Sequence, residues 1–318
     1  MPEIITNVLV LVGFTALLVK SGVFSIDSII KFSKITGFSQ FATGFVIVAA
    51  ATSAPEISIA FFSTLSGNVG ITLGDIFGSN VTNIALISAL FMLIAPSRQI
   101  EQKTLRMLIP ILLASSAIPL ILLITQEGSK LVGIALLVAF GLFLYYVFKS
   151  QSSGEKEYAE GSAIKSLVYF FIGIVLVIIS SKFIVDSAAS IAASTGIRES
   201  IIGATIIAIG TSLPEMTVDI ISVRRRHLDL ALGDIVGSCI TNITLVLGLV
   251  LVLSRVTVNF GILSSLIGFA IITPFAMFLF IRTAKVKKLY SFVFLGIYAA
   301  FLLILYEIQT YISEIKFG

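Results

Sequence analysis

GFVIVAAATSAPEISIAFFSTLSGNVGITLGDIFGSNVTNIAL, residues 44–86, decides the fold, because residues 203–245 repeat it. TSAPE at 52–56 returns as TSLPE at 211–215, and GDIFGSNVTN at 74–83 returns as GDIVGSCITN at 233–242. Thr52 and Thr211, like every other shared position, lie 159 residues apart, which is half of the 318-residue chain. The chain therefore reads as one unit duplicated, with repeat 1 at 1–148, a hydrophilic linker at 149–165 and repeat 2 at 166–318.

The composition indicates an integral membrane protein. Hydrophobic residues make up 57% of the chain and charged ones 12%, about half the charge of an ordinary soluble domain. Apolar runs long enough to cross a bilayer as helices lie at roughly 4–26, 41–65, 71–95, 105–125, 131–148, 166–193, 200–222, 230–254, 257–281 and 289–311. Because each repeat has an odd number of runs, repeat 2 enters the membrane from the opposite side. The predicted fold is all-α, with ten transmembrane helices in two inverted five-helix repeats, an architecture typical of secondary transporters.

Loop charges predict the orientation. Most Lys and Arg residues fall in loops on one side, which places the N-terminus outside, the linker in the cytoplasm and the protein in the plasma membrane. This topology signal accounts for the net charge of +4, so no nucleic-acid partner is expected. The lone Cys239 excludes an internal disulfide, and the only histidine, His227, is in a loop. With no recognisable hydrolase motif, no enzyme activity and no cofactor are predicted.

Two glutamates carry the chemistry of the repeat. Glu56 and Glu215 each lie about two-thirds of the way along a span, and opposite insertion brings both near the midplane. A carboxylate at that depth costs a few kcal/mol unless it faces a partner or a water-filled cavity. Thr52 and Thr211 stand one helical turn earlier on the same face.

Two prolines predict a break in each of these helices. Pro55 and Pro214 cannot donate backbone hydrogen bonds, so we expect the carbonyls of Ala51 and Gly210 to lose their helical partners. Free carbonyls, hydroxyls and carboxylates are the hard oxygen ligands that Ca²⁺ and Na⁺ prefer. A proline kink with a stray protonated glutamate would explain one copy as well as an ion site does, but not two copies at a fixed offset.

A polar stripe supplies the second wall of the site. Its members follow each other at i, i+4 and i+8 and so share one helix face: Asp75, Ser79 and Asn83 in repeat 1, and Asp234, Ser238 and Asn242 in repeat 2. The glycines around them (Gly74, Gly78, Gly233 and Gly237) predict close helix approach. From their positions near the starts of their spans, we expect Asp75 and Asp234 to lie in the outer and inner vestibules.

One acid has no twin. Asp219 lies one turn beyond Glu215, whereas Ala60 occupies the corresponding position of repeat 1. Two readings stay open for it: an extension of the inner half of the pathway, or a pH-sensitive partner of Arg224 or Arg225.

GFVIVAAATSAPE…GDIFGSNVTN and GATIIAIGTSLPE…GDIVGSCITN resemble the two α-repeats of the calcium:cation antiporter superfamily, and within it the prokaryotic sodium/calcium exchangers. The resemblance covers essentially the whole chain. It implies a core of spans 2, 3, 7 and 8, with spans 1 and 6 sliding across it. It also implies Glu56 and Glu215 as shared Ca²⁺ and Na⁺ ligands. The remaining implied ligands are hydroxyls, carbonyls and amides: Thr52, Ser53, Thr211, Ser212, Ser79, Ser238, the carbonyls of Ala49 and Ala208, Asn83 and Asn242.

The chain departs from the family pattern at three positions. Family members often have Asp where this chain has Asn242, and Asn where it has Asp75 and Asp234. The centre therefore has one carboxylate fewer and two acids nearby, and potassium dependence is not expected. Exchange of Ca²⁺ for Na⁺ is the predicted function, in the lipid bilayer and without an obligatory protein partner. The alternatives are H⁺/Ca²⁺ antiport by the same fold, with Asp219 in the pathway, and a passive cation channel.

Overall fold

The computed structural model describes residues 2–65, 69–94, 128–151, 161–194, 208–254, 260–281 and 287–317, with seven single positions between 95 and 127. Every regular element in these ranges is helical, as predicted. The helices are α1 (Pro2–Thr36), α2 (Gln40–Thr52), α3 (Ala54–Leu65), α4 (69–94), α5 (Lys130–Gln151), α6 (Ala163–Ser194), α7 (Ala208–Thr211), α8 (Leu213–Arg224), α9 (Leu228–Leu253), α10 (Phe260–Ile281) and α11 (Lys288–Phe317).

Six of these helices contain a stretch long and apolar enough to cross a membrane, namely Val12–Thr36, Leu73–Ile94, Lys130–Val147, Ala163–Ile184, Leu228–Leu253 and Lys288–Glu307. Gln40–Thr52 and Ser264–Phe280 are shorter apolar helices. The predicted span at 105–125 falls mostly outside the described residues, as do residues 200–207 of the seventh span. The number of ten spans therefore stays a prediction.

The two helices that carry the polar stripes, α4 and α9, form the centre of the protein. In each of them 83% of the apolar window is buried, against 17% in α5 and 22% in α11. A helix buried over most of its surface belongs to the core, whereas α5 and α11 present apolar side chains outward, as contact with lipid requires. The stripes are thus enclosed by helices on several sides.

Glycines bring α2 and α9 into backbone contact. A Cβ on Gly233 would lie 2.5 Å from the carbonyl oxygen of Phe41, and one on Gly237 would lie 2.6 Å from that of Phe45. Only hydrogen fits in these gaps, so the prediction of close approach is confirmed for both glycines. No described atom lies within 4 Å of the corresponding point at Gly74.

The long helices α1 and α6 pack lengthwise on each other, more extensively than any other described pair. Asn7 Nδ2 donates to Ser190 Oγ at 2.9 Å, and the rings of Phe14 and Phe183 stack with centroids 4.3 Å apart. These contacts join the first helix of each repeat into one paired layer beside the core.

A second set of contacts ties the loop between α8 and α9 to α1 and α2. Arg225 Nη2 donates to Asp27 Oδ2 of α1 at 3.2 Å, with both side chains about half exposed. Nδ1 of His227 and Oε1 of Gln40 share a hydrogen bond of 3.0 Å. Arg226, between them, has a φ of 69°, so the loop turns through the left-handed region, which costs energy for a residue other than glycine.

Candidate ion-binding site

Two serines mark symmetric breaks in the helices of the TS·PE motifs. Ser53, between α2 and α3, has φ −77° and ψ 10°, and Ser212, between α7 and α8, has φ −86° and ψ 4°. Both lie in the bridge region of φ/ψ space, where turn residues and many active-site residues are found. Pro55 and Pro214 fall in the first turn of the helix that follows each break, where a missing N–H costs nothing. The predicted discontinuous helices are therefore present.

The carbonyl of Ala51 lacks its i+4 donor, because Pro55 has no N–H. The N–H of Ser53 bonds to the carbonyl of Ala49 at 3.0 Å, and its contact with the carbonyl of Ala51, two residues before it, is the weaker one. The free carbonyl of Ala51 therefore stays a prediction.

Glu56 and Glu215 lie in the first turns of α3 and α8. Their side chains are fully buried. Ser53 Oγ donates to Glu215 Oε1 at 3.4 Å, whereas Glu215 Oε2 and both Glu56 oxygens have no hydrogen-bond partner among the described residues. The positive end of each helix dipole favours a carboxylate there, but a buried charge still requires a partner of opposite sign.

The two repeats meet through a reciprocal pair of hydrogen bonds. Thr52 Oγ1 lies 3.3 Å from Asp234 Oδ1, and Thr211 Oγ1 donates to Asp75 Oδ1 at 3.1 Å. Each threonine stands just before a helix break, and each aspartate belongs to the polar stripe of the other repeat. Ser79 Oγ joins the second pair, 3.5 Å from Asp75 Oδ1 and 3.4 Å from Thr211 Oγ1.

These bonds correct the expected position of the two aspartates. Asp75 and Asp234 are buried and belong to the central cluster, not to the vestibules. The expectation assumed that depth follows position along a span. This assumption is wrong because the stripe helices pass directly beside the broken ends of α2 and α7. Residues near the start of a stripe helix therefore lie in the central cluster.

Asp219 also belongs to this cluster. Its carboxyl group lies close to that of Asp234, it is buried, and neither of its oxygens has a hydrogen-bond partner among the described residues. Arg225 pairs instead with Asp27, and Arg224 is exposed. The reading of Asp219 as a partner of these arginines is therefore wrong, and its role in the pathway stays a prediction.

The remaining predicted hydroxyl and carbonyl ligands lie at the helix breaks, within one turn of them, or on the polar stripe of α9. Ser212 Oγ and Ser238 Oγ are buried and have no hydrogen-bond partner among the described residues. The carbonyl of Ala49 lies 3.0 Å from the backbone nitrogen of Ser53 and 3.4 Å from Thr52 Oγ1. Ala208 is the first residue of α7, one turn before the break at Ser212.

The asparagines of the stripes lie in π-helical segments. Asn83 is in the segment Thr82–Ile87 of α4, and Asn242 is in the segment Thr241–Val246 of α9. Such segments often occur at functional sites, because an extra residue in one turn re-aims the side chains. The amide groups of both asparagines are buried, and Asn242 Oδ1 and both amide atoms of Asn83 have no partner among the described residues.

Sequence reasoning missed Asn80. Its Nδ2 donates to the carbonyl of Cys239 at 3.3 Å, and its Oδ1 accepts from Asn242 Nδ2 at 3.1 Å. Asn80 lies within the repeated motif GDIFGSNVTN, but the corresponding residue of repeat 2 is Cys239. Because only positions identical in the two copies were singled out, Asn80 was passed over.

The chemistry of this cluster suits a hard cation. Its polar atoms are almost all oxygens, from carboxylates, hydroxyls, amides and carbonyls, which is the ligand set of Ca²⁺ and related ions. Among the described residues, no three acidic, histidine or cysteine side chains converge as a ready metal group.

Comparison with known proteins gives consistent matches along the chain. A family model described as "Sodium/calcium exchanger protein" matches residues 6–149 and 165–307. Inner membrane protein YrbG of Escherichia coli (strain K12) is 31% identical over 226 residues, covering 67% of this chain and 69% of that protein. Sodium/calcium exchanger MaX1 of Methanosarcina acetivorans is 27% identical over 353 alignment positions, covering 96% and 100% of the two chains. A solved structure of the sodium-calcium exchanger NCX_Mj, soaked with 10 mM Na⁺ and zero Ca²⁺, superposes with a TM-score of 0.82 at 25% identity, covering 93% of this chain and 98% of that one.

Proposed function

This chain belongs to the sodium/calcium exchanger protein family, and from that premise we propose that it exchanges Ca²⁺ for Na⁺ by alternating access to the cluster around Glu56 and Glu215. The observation that carries the proposal is the pair of buried glutamates at symmetric helix breaks, with three of their four carboxylate oxygens lacking a partner among the described residues. Two carboxylates neutralise one Ca²⁺, which removes the cost of their burial.

The neighbouring oxygens have assigned roles in this scheme. Thr52, Ser53, Thr211, Ser212, Ser79, Ser238, Asn83 and Asn242 complete the coordination shells, with the carbonyls of Ala49 and Ala208. Na⁺ ions use the two glutamates together with the reciprocal pairs Thr52–Asp234 and Thr211–Asp75. Oxygens shared in this way allow Ca²⁺ and Na⁺ to compete for one site and not occupy it together.

The packing of α1 on α6 supports the moving part of the mechanism. Because these helices contact each other more than they contact the core, they can shift as one layer and expose the cluster first to one side and then to the other. The repeats at 1–148 and 166–318, joined by a cytoplasmic linker at 149–165, supply one such helix each. The N-terminus lies outside the cell and the protein lies in the plasma membrane.

Strict exchange follows from the cost of an empty site. With no cation bound, the carboxylates of Glu56 and Glu215 remain buried and uncompensated, at several kcal/mol per charge. A ligand that binds removes this penalty and permits the shift between states. The empty protein therefore does not reorient, and one ion crosses only in return for the other.

The test measures Na⁺-driven ⁴⁵Ca²⁺ uptake by purified protein in proteoliposomes. Glu56→Gln and Glu215→Gln each remove one charged partner of the ion, a loss of roughly 3 kcal/mol, so we expect uptake to fall on the order of hundredfold. Asp186→Asn is the matched control, because this aspartate is exposed on α6. Uptake of ⁴⁵Ca²⁺ by both glutamine variants at the wild-type rate would contradict the proposal.

One observation favours H⁺ as an alternative driving ion. Asp219 and Asp234 present their carboxyl groups to each other, an arrangement that a shared proton relieves. A Na⁺ gradient at fixed pH and a pH gradient without Na⁺ separate the two functions. Uptake driven by the Na⁺ gradient alone supports Na⁺ exchange, and uptake driven by the pH gradient alone supports H⁺ exchange.

A further inference from the structure

Asn80 stands at the contact between the two stripe helices. It lies on α4, one residue after Ser79 and on a different face from the stripe, and only 5% of its surface is exposed. Both ends of its amide group reach across to α9, to the carbonyl of Cys239 at 3.3 Å and to the amide of Asn242 at 3.1 Å. A single side chain of repeat 1 thus makes hydrogen bonds to two residues of repeat 2.

The backbone carbonyl fixes the orientation of both amides. A carbonyl oxygen can only accept, so Asn80 must turn its NH₂ group towards Cys239 and its oxygen towards Asn242. That oxygen can only accept in turn, so Asn242 must present its NH₂ group to Asn80. The oxygen of Asn242 therefore points the other way, where it is buried and has no partner among the described residues.

The corresponding place in the other repeat has no such residue. Cys239 is the twin of Asn80, and Asn83 is the twin of Asn242. A thiol is a weak donor and acceptor, and both amide atoms of Asn83 lack a partner among the described residues. The amide of Asn242 is thus held in one orientation, whereas nothing described holds that of Asn83.

We propose that Asn80 is a positioning residue, which turns the amide oxygen of Asn242 towards the transported cation and makes it a ligand. This inference rests on the proposed function, because it takes Asn242 as a ligand of Ca²⁺. An amide presents one oxygen and one NH₂ group of opposite polarity. Orientation therefore decides whether this side chain attracts a cation or repels it, while a carboxylate, with two equivalent oxygens, needs no such control.

That difference gives a double-mutant test. Ca²⁺ affinity is measured by calorimetric titration of the detergent-solubilised protein without Na⁺. Asn80→Ala in the native background frees the Asn242 amide and is expected to weaken Ca²⁺ binding about tenfold, as loss of outer-shell partners does. In the Asn242→Asp background the same substitution is expected to change affinity less than about threefold, because either carboxylate oxygen serves. In vesicles, the native-background variant should raise the KM for Ca²⁺ more than it lowers kcat.

Two results would overturn the proposal. Equal losses of Ca²⁺ affinity in the two backgrounds would mean that Asn80 only stabilises the contact between α4 and α9. No loss in the native background would mean that Asn80 does not orient the amide of Asn242. If Asn80→Ala fails to fold, Cys239→Asn decides the question: it supplies the missing partner of Asn83, so tighter Ca²⁺ binding supports the proposal, and unchanged or weaker binding overturns it. Lack of Na⁺-driven exchange by the wild type would overturn the proposed function separately, since the titration measures binding alone.

Discussion

The glycine contact between α2 and α9 predicts a large effect for a very small substitution. In Gly233→Ala the new methyl group would lie 2.5 Å from Phe41 O, 2.9 Å from Phe45 N and 3.3 Å from Gly44 C. All three are backbone atoms, so no side chain can move aside. The shortest approach falls 0.9 Å below the 3.4 Å at which ordinary contact begins, and the two helices must separate by about that distance.

The magnitude follows from the packing that this separation loosens. A gap of 0.5–1 Å loses about a quarter to a half of the dispersion energy of the contacts involved, and overpacking a close contact costs about 1–3 kcal/mol. The higher helix propensity of Ala relative to Gly stabilises the folded protein by about 1 kcal/mol and offsets part of this cost. We expect a net destabilisation of about 1 kcal/mol, or a Tm about 2 °C lower. The bond of 3.3 Å from Thr52 to Asp234, between the same helices, would also break, so exchange should fall.

The assay is thermal unfolding in detergent, paired with ⁴⁵Ca²⁺ uptake in vesicles. Gly296→Ala is the matched control, because Gly296 is exposed on α11 with no described atom within 4 Å of the new methyl group. Its Tm should be unchanged or rise by about 1–2 °C, with normal uptake. A Tm for Gly233→Ala equal to or above that of the wild type would refute the reasoning from helix contact.

Three further predictions use charged groups. Asp219→Asn replaces one of two neighbouring buried carboxyl groups by an amide that can donate to Asp234, so the Tm in chelator should rise by about 2 °C or more; a fall would mean that the two carboxyl groups do not repel each other. Burial and the neighbouring basic side chains lower the pKa of His227 below 6.5, so the stability it contributes is present above that pH and is lost as the pH falls. Between about pH 7.5 and 5.5 the Tm of wild type should therefore drop more than that of His227→Gln, and parallel curves would count against this. Because Asp27 and Arg225 are about half exposed, their coupling in a double-mutant cycle of unfolding should be at most about 1 kcal/mol.

The helical architecture and the burial of the repeated polar residues were predictable because they depend on patterns that a sequence displays. Hydropathy sets the length of a membrane helix, and a buried polar residue that recurs at a fixed offset stands out against apolar surroundings. Glu56 and Glu215 were identified in this way. Their arrangement at paired helix breaks was also foreseen, since a proline inside an apolar span has few structural outcomes.

Other features depend on geometry between distant segments. The π segments around Asn83 and Asn242 leave no mark in the sequence, because they differ from α-helix by one residue in a turn. The depth of Asp75 and Asp234 depends on how the repeats dock. Asn80 was missed because its importance lies in a difference between the copies, whereas the comparison of repeats emphasised identity.

The polar contacts that assemble the site have a consequence for the biosynthesis of the protein. The bonds from Thr52 to Asp234, from Ser53 to Glu215 and from Thr211 to Asp75 each join residues made more than a hundred positions apart. A nascent chain that holds repeat 1 alone lacks the partners that these three bonds supply. The cluster can therefore form only after translation has passed Asp234 on α9.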